Sequence, residues 1–158
     1  MWSKERSIGL FKSEQEEKEQ KYLNYLKRIT PSKIDRLKTR YVYVFGTNLE
    51  GLHVGREAQL AVSHFGAEYG IGVGSQGKTY AIPTMQGNIK TVEPYIKNFV
   101  KYAKQHPEQR FYVTYVGCGI SGFDLDDMGR LSYSAKDVEN VFLPQKFLDE
   151  IVHQYRGY

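Results

Sequence analysis

Phe111-Tyr-Val-Thr-Tyr-Val-Gly-Cys-Gly-Ile-Ser-Gly-Phe123 is a β-branched and aromatic run that breaks into three glycines within six residues and closes on an aromatic ring. The composition predicts a buried strand over 111–116 that opens into a loop of phosphate size. Glycines at 117, 119 and 122 let backbone N–H groups approach an anion without interference from a Cβ, and amides oriented in this way form a concave nest for negative oxygens. Phe123 is expected to set a ring beside that nest. Taken alone, the same stretch also fits a tight turn after a core strand.

A second strand-like run, Tyr41-Val-Tyr-Val-Phe-Gly46, leads into the polar loop Thr47-Asn-Leu-Glu-Gly-Leu-His-Val-Gly-Arg56. Two strands that end in glycine-bearing loops suggest one crevice at the carboxyl ends of an open α/β sheet. Neither loop is a dinucleotide fingerprint, because Gly117-Cys-Gly-Ile-Ser-Gly122 runs into Phe123-Asp124 without a long amphipathic helix. No Gly-Lys-Ser or Gly-Lys-Thr occurs, which excludes a P-loop.

A chain of 158 residues suits one core. It carries no apolar run near the ~20 residues of a membrane span and no secretory pattern after Met1, so a cytoplasmic protein without a membrane partner is expected. The single cysteine, Cys118, rules out an internal disulfide and a multi-cysteine zinc site, and neither a metal nor a cofactor is expected. The net charge of +4 is unevenly distributed: residues 1–40 hold 11 Lys/Arg against 6 Asp/Glu, and residues 41–158 hold 11 against 12. Residues 1–40 therefore read as a basic helical segment preceding an α/β domain over 41–158. Weak nucleic-acid binding by that segment is one consequence. The sequence is silent on oligomeric state.

Ser13 and the acidic residues after it start a helix with the apolar stripe Tyr22, Leu23, Tyr25, Leu26 and Ile29, which is expected to dock by one face. Residues 1–12 carry no clear pattern. Ile34 and Leu37 allow a short helical turn before the strand at 41–46. Helices are expected over 57–65, stopped by Gly66, and from a Thr91 cap through Ala103, with a turn of helix over 124–129 and a last helix from Gln145 to Tyr155. Further strands are expected at Thr79–Pro83 and Asn140–Pro144, with a glycine-rich connection over 68–77. This alternation predicts an α/β fold with a mostly parallel sheet, arranged as a three-layer α/β/α sandwich.

Together the loops resemble the macrodomain superfamily, and more closely its macro-domain-like group from bacteria and phages, over roughly residues 41–152. The resemblance rests on Val44-Phe-Gly-Thr-Asn48 with Gly51 and His53, on Tyr69-Gly-Ile-Gly-Val-Gly-Ser-Gln-Gly77 leading into Tyr80-Ala-Ile-Pro-Thr84, on Val116–Phe123, and on Asn140-Val-Phe-Leu-Pro144. It implies binding of ADP-ribose, or of an ADP-ribosylated substrate, in a cleft of glycine-rich loops. By this resemblance Gly117, Cys118, Gly119, Ile120, Ser121, Gly122 and Phe123 form the loop that holds the diphosphate. Phe45, Gly46, Thr47, Gly55, Arg56 and Gln76 also belong to the ligand cleft. Asn48 matches the asparagine that orients a water on the distal ribose. Where the group carries small residues after the histidine, this chain has Val54-Gly55-Arg56-Glu57, so Arg56 either pairs with phosphate or blocks the cleft.

Hydrolysis of an ADP-ribosyl bond, or of ADP-ribose 1″-phosphate, without a metal needs a base near the distal ribose, and His53 with Asn48 are the catalytic candidates. Glu57 is a second candidate base, though a carboxylate in a first helical turn also serves the helix dipole. Cys118 lacks an evident histidine partner for nucleophilic work. Thr84 and Tyr80 flank the glycine-rich connection and are candidates to line the cleft. The tyrosines are scattered over strands and helices and do not compose a stacking surface in the sequence. The alternative to an enzyme is a non-catalytic reader of a nucleotide metabolite that uses the same cleft.

Overall fold

The run Tyr41-Val-Tyr-Val-Phe45 sends successive side chains to opposite faces of the sheet, and both faces are apolar. In the computed structural model, which describes the backbone of residues 2–156 and the side chains of residues 13–153, this run lies in strand β1 (Tyr41–Thr47). Parallel strands β3 (Thr79–Pro83) and β4 (Arg110–Val113) flank it, with Tyr80 and Val113 on either side of Val44. β5 (Val141–Phe142) continues in parallel beyond β4, and β2 (Gly74–Gln76) closes the other edge antiparallel to β3. The result is a five-stranded, mostly parallel sheet of order β2-β3-β1-β4-β5, in the α/β class expected from the sequence.

The helices are α1 (Trp2–Lys27), α2 (Arg56–Phe65), α3 (Glu93–Gln105), α4 (Leu125–Leu131) and α5 (Gln145–Arg156). Val42, Val44, Phe111 and Val113 turn toward Ile96, Phe99 and Val100 of α3, Met128 of α4 and Phe147 and Ile151 of α5. On the other face Tyr43 and Phe45 meet Ala58, Ala61 and Phe65 of α2. Two alanines at the contact let α2 approach the sheet closely. Phe45, Phe111 and Phe147 are wholly buried, and truncating any one to alanine is expected to cost about 3–5 kcal/mol.

Several boundaries differ from the sequence reading. The first helix begins at Trp2 and not at Ser13. Residues 31–40 contain no helix; Ile34 and Leu37 instead lie against the Tyr43 cluster as irregular chain. Thr91 ends a short 3₁₀ turn capped by the Asn88 side chain, so α3 starts after Val92 without a side-chain cap. β4 stops at Val113 because Thr114 turns the chain: its hydroxyl donates to the Val44 carbonyl at 2.8 Å and its carbonyl accepts from Val116 N–H at 2.7 Å. The glycine-rich connection contains an edge strand, β2.

Residues 25–30 are built into the core of the α/β domain. Tyr25 is buried in the larger apolar cluster, and Ile29 bridges in parallel to Leu143 beyond β5. The Arg28 guanidinium donates to the carbonyls of Lys136 (2.6 Å), Val138 (2.6 Å) and Val141 (3.1 Å). Thr30 donates through its hydroxyl to the Val113 carbonyl at 2.7 Å.

At the far end of α2, Gly66 is the left-handed stop the sequence indicated, with φ 86°. It packs against Gly77, φ 56°, so closely that a Cβ on Gly77 would lie 2.7 Å from the Gly66 carbonyl oxygen. Lys78 N–H donates to the Phe65 carbonyl at 2.8 Å across the same junction. Among the described residues no helix is long and apolar enough to cross a membrane.

Candidate functional site

β1, β3 and β4 end side by side, and their ends are tied together. Thr84 N–H, just past β3, donates to the Thr47 carbonyl at 2.8 Å, and the Thr84 hydroxyl lies 2.9 Å from the Ser121 hydroxyl. Gly46 is glycine because the chain after β4 comes so near: a Cβ there would meet Gly117 N and the Thr84 hydroxyl oxygen, each at 3.3 Å. The 117–122 loop then curls on itself, with Gly122 N–H bonded to the Gly119 carbonyl at 3.0 Å and Phe123 N–H to the Gly117 carbonyl at 2.9 Å. Gly117 and Gly122 carry the positive φ values that the curl demands, 79° and 72°.

Within this curl the N–H groups of Gly119, Ile120 and Ser121 donate to no acceptor among the described residues. Opposite them stands the N-terminus of α2, whose cap residue Gly55 offers no side chain to the free amides of the first turn. Together with Gly46, Thr47 and Thr84 these elements enclose a cavity of about 40 Å³. A water needs only ~10–15 Å³ of such space. The cavity shares Val54, Glu57, Thr114 and Tyr115 with a groove of about 1150 Å³ that runs between α2 and residues 29–35, past Pro144.

Unpaired amides and a helix N-terminus favour negative charge. Arg56, exposed on the groove, adds a cation with no acidic partner among the described residues. It stands in the groove and not in the small cavity, so it leaves that cavity open. Glu57 faces both spaces and opposes an anion. Thr114 and Tyr115 form the lip between them, with Tyr115 37% exposed.

His53 lines the groove, but its ring is held within the fold. Its ring is 1% exposed; Nδ1 lies 2.8 Å from the Thr47 hydroxyl and Nε2 lies 2.7 Å from the Glu68 carbonyl. A carbonyl only accepts, so Nε2 carries the proton and Nδ1 accepts from Thr47. With both nitrogens engaged, and the Phe45 ring edge-on at 5.3 Å, the imidazole fastens the loop after β1 to the 68–71 turn. It has no free nitrogen to exchange a proton with a bound ligand. Asn48 likewise serves its own turn: Oδ1 accepts from Leu52 N–H at 2.8 Å, and its carbonyl accepts from Gly51 N–H at 3.1 Å. It lines neither the cavity nor the groove.

Of the residues expected at the cleft, Gly46, Thr47, Gly55, Gly117, Gly119, Ile120 and Ser121 converge on the small cavity. Phe45 is wholly buried beneath it. Gln76 is buried, accepting from Glu68 N–H at 2.6 Å and donating to the Ile71 carbonyl at 3.1 Å, so it braces the 68–71 turn from inside. The Phe123 ring packs on the core under the loop, where a Cβ on Gly117 would lie 3.0 Å from it. Gly122 shapes the curl without facing the cavity. The half-buried Cys118 thiol is pushed up to about 11 by burial and by Asp124, which keeps it protonated and unreactive at neutral pH. Tyr80 is sheet packing, 5.1 Å from both Phe99 and Tyr102.

Thr84 and Val54 were legible at the cleft, whereas Met85, Thr114 and Tyr115 were not. The available signal for Tyr115 was its place at the seam between a buried strand and a glycine loop. Among the described residues no group of three or more His, Cys, Asp or Glu is gathered for a metal ion. No protein-family model, curated protein or solved structure matches the chain.

Proposed function

We propose that this chain is a macrodomain-like three-layer α/β/α domain that binds ADP-ribose or a related nucleotide-diphosphate-ribose. The observation that carries the reading is the set of unpaired amides of Gly119, Ile120 and Ser121, residues that line one small cavity with Gly55 at the uncapped start of α2. A diphosphate oxygen seated there accepts from backbone donors that otherwise have no partner, and Arg56 lies on the adjoining groove to answer the remaining charge. The groove past Tyr115 and Pro144 gives the nucleoside an apolar wall of adequate size.

The non-catalytic reader is favoured over the hydrolase. Both candidate catalytic side chains, His53 and Asn48, have their acceptor atoms committed within the fold. If the chain does hydrolyse ADP-ribosyl bonds, Asn48→Ala will lower release of ADP-ribose from an ADP-ribosylated substrate below that of the native chain; the reader gives only the no-protein rate with either.

The binding test is calorimetric titration with ADP-ribose against ADP and AMP, repeated with Gly119→Glu. A side chain at 119 meets nothing within 4 Å and no positive φ, so the variant keeps its fold. Two unit charges about 4 Å apart repel by about 4 kcal/mol at an effective dielectric of ~20, enough to weaken a diphosphate up to about a thousandfold. Equal affinity of the native chain and the variant, or no binding of ADP-ribose by the native chain, overturns the proposal.

A further inference from the structure

The end of the sheet remote from the candidate cleft has a second unassigned surface. Strand alternation puts Tyr41 and Tyr112 on one face, and Phe142 of β5 joins them: ring centroids are 4.9 Å apart for Tyr41–Tyr112 and 5.1 Å for Tyr112–Phe142. All three are only half-buried, and among the described residues neither apolar cluster includes them. Arg110 lies on the same face, two residues before Tyr112 and in register with Tyr41. Its N–H donates to the Arg40 carbonyl at 2.8 Å, which brings a second exposed arginine alongside. Lys38 and Arg36 precede it on the surface. Two acids stand among these cations, Glu108 beside His106 and Asp35 beside Lys33.

We propose that this aromatic patch with its basic border is a binding surface for single-stranded nucleic acid. Half-buried aromatic rings on a sheet face give unpaired bases a stacking partner, and flanking arginines neutralise the phosphates. Duplex DNA has its bases stacked on one another and gains only the charge contacts. In sequence the tyrosines look scattered and the cations belong to the chain before residue 41; pairing of β1 with β4 brings Tyr41, Tyr112, Arg40 and Arg110 together. The surface is separate from the nucleotide cleft and does not depend on that reading.

The test uses the intact chain and a fluorescent oligodeoxythymidine of about 12 nucleotides, within the ~4–16 nucleotides such surfaces cover. Anisotropy is followed from low to moderate salt. Four cations give a log–log salt slope of about −3, at about −0.7 per phosphate on single strands. Tyr112→Leu is expected to weaken binding about tenfold, the loss of one stacked base. Arg110→Gln is expected to flatten the slope by about 0.7. Gly119→Glu leaves oligonucleotide binding unchanged. Tyr112→Phe keeps both affinity and unfolding midpoint, and if Tyr112→Leu fails to fold, Arg110→Gln decides alone. Equal affinity for a duplex of the same length overturns the proposal, as does equal affinity for polyglutamate, which would mark an acidic protein partner. Unchanged affinity in folded Tyr112→Leu, or no binding at low salt, also overturns it.

Discussion

His53→Leu separates a structural histidine from a catalytic one. The substitution keeps side-chain bulk at a position 1% exposed but removes both ring nitrogens. The Thr47 hydroxyl, itself 4% exposed, loses its acceptor at 2.8 Å, and the Glu68 carbonyl loses its donor at 2.7 Å. A buried polar group left unpaired costs about 1–3 kcal/mol, which falls on the Thr47 hydroxyl; the Glu68 carbonyl keeps the Ile71 N–H at 3.3 Å and loses less than about 1 kcal/mol. His53 also sits at φ 53°, where leucine is less at ease than histidine, which adds about 1 kcal/mol. The sum is about 2–5 kcal/mol. For a chain of this length each kcal/mol shifts the midpoint by about 2–4 °C, so thermal unfolding is expected to fall by roughly 10 °C. Thr47→Val deletes the same hydrogen bond from its other end, so the double variant loses about 1 kcal/mol less than the sum of the singles. A midpoint within about 2 °C of native, or strict additivity with Thr47→Val, refutes the clamp. Loss of ADP-ribose binding or turnover at unchanged stability would instead put His53 in contact with the ligand.

Other perturbations follow from the same geometry. Gly72→Ala would bring a Cβ to 2.1 Å from the Asn48 carbonyl oxygen and 2.5 Å from that of Leu49. Both obstacles are backbone, so a loss of about 3 kcal/mol is expected in chemical denaturation, against less than about 0.5 for Gly119→Ala. Arg28→Met removes the guanidinium from three part-buried carbonyls, of which that of Val138 keeps the Val141 N–H at 3.0 Å, and is expected to cost about 2–3 kcal/mol, whereas a detachable N-terminal segment would leave the midpoint unchanged. With its pKa at about 11, the Cys118 thiol is about one-thousandth thiolate at pH 8. Its alkylation by iodoacetamide should climb about tenfold per pH unit up to about pH 11; a plateau near pH 9 contradicts the burial described for it.

Much of the sheet was legible because its signals are local. Tyr41–Phe45 is apolar on both faces, Thr79–Pro83 ends at a proline, and Gly66 stops α2 where an unhindered left-handed residue was needed. β2 was hidden because Gly-Ser-Gln has no strand composition and is held only by pairing with β3 across the Gly77 turn. Ile34 and Leu37 have helical spacing, yet the cluster around Tyr43 draws them in without a helix. In the site, the glycines of 117–122 announced a curled loop. The sequence could not show that His53 binds a hydroxyl six residues before it and a carbonyl fifteen after, because those partners exist only once the turns have formed. Phe123 misled for a related reason: an aromatic after a glycine loop can turn outward or inward, and here the core beneath Gly117 takes it.

The back-to-back contact of Gly66 with Gly77 has a mechanical consequence. It leaves no room for α2 to slide along β2 and β3, and the Lys78–Phe65 hydrogen bond locks that junction at both chains. The α2 wall of the cleft is therefore an anvil. Gly119 and Gly122, by contrast, have open space around them, and the amides between them are not tied down. The room to adjust lies on the 119–121 side, so amide exchange should be fast at 119–121 and, on the proposed reading, should slow there first when ADP-ribose is added.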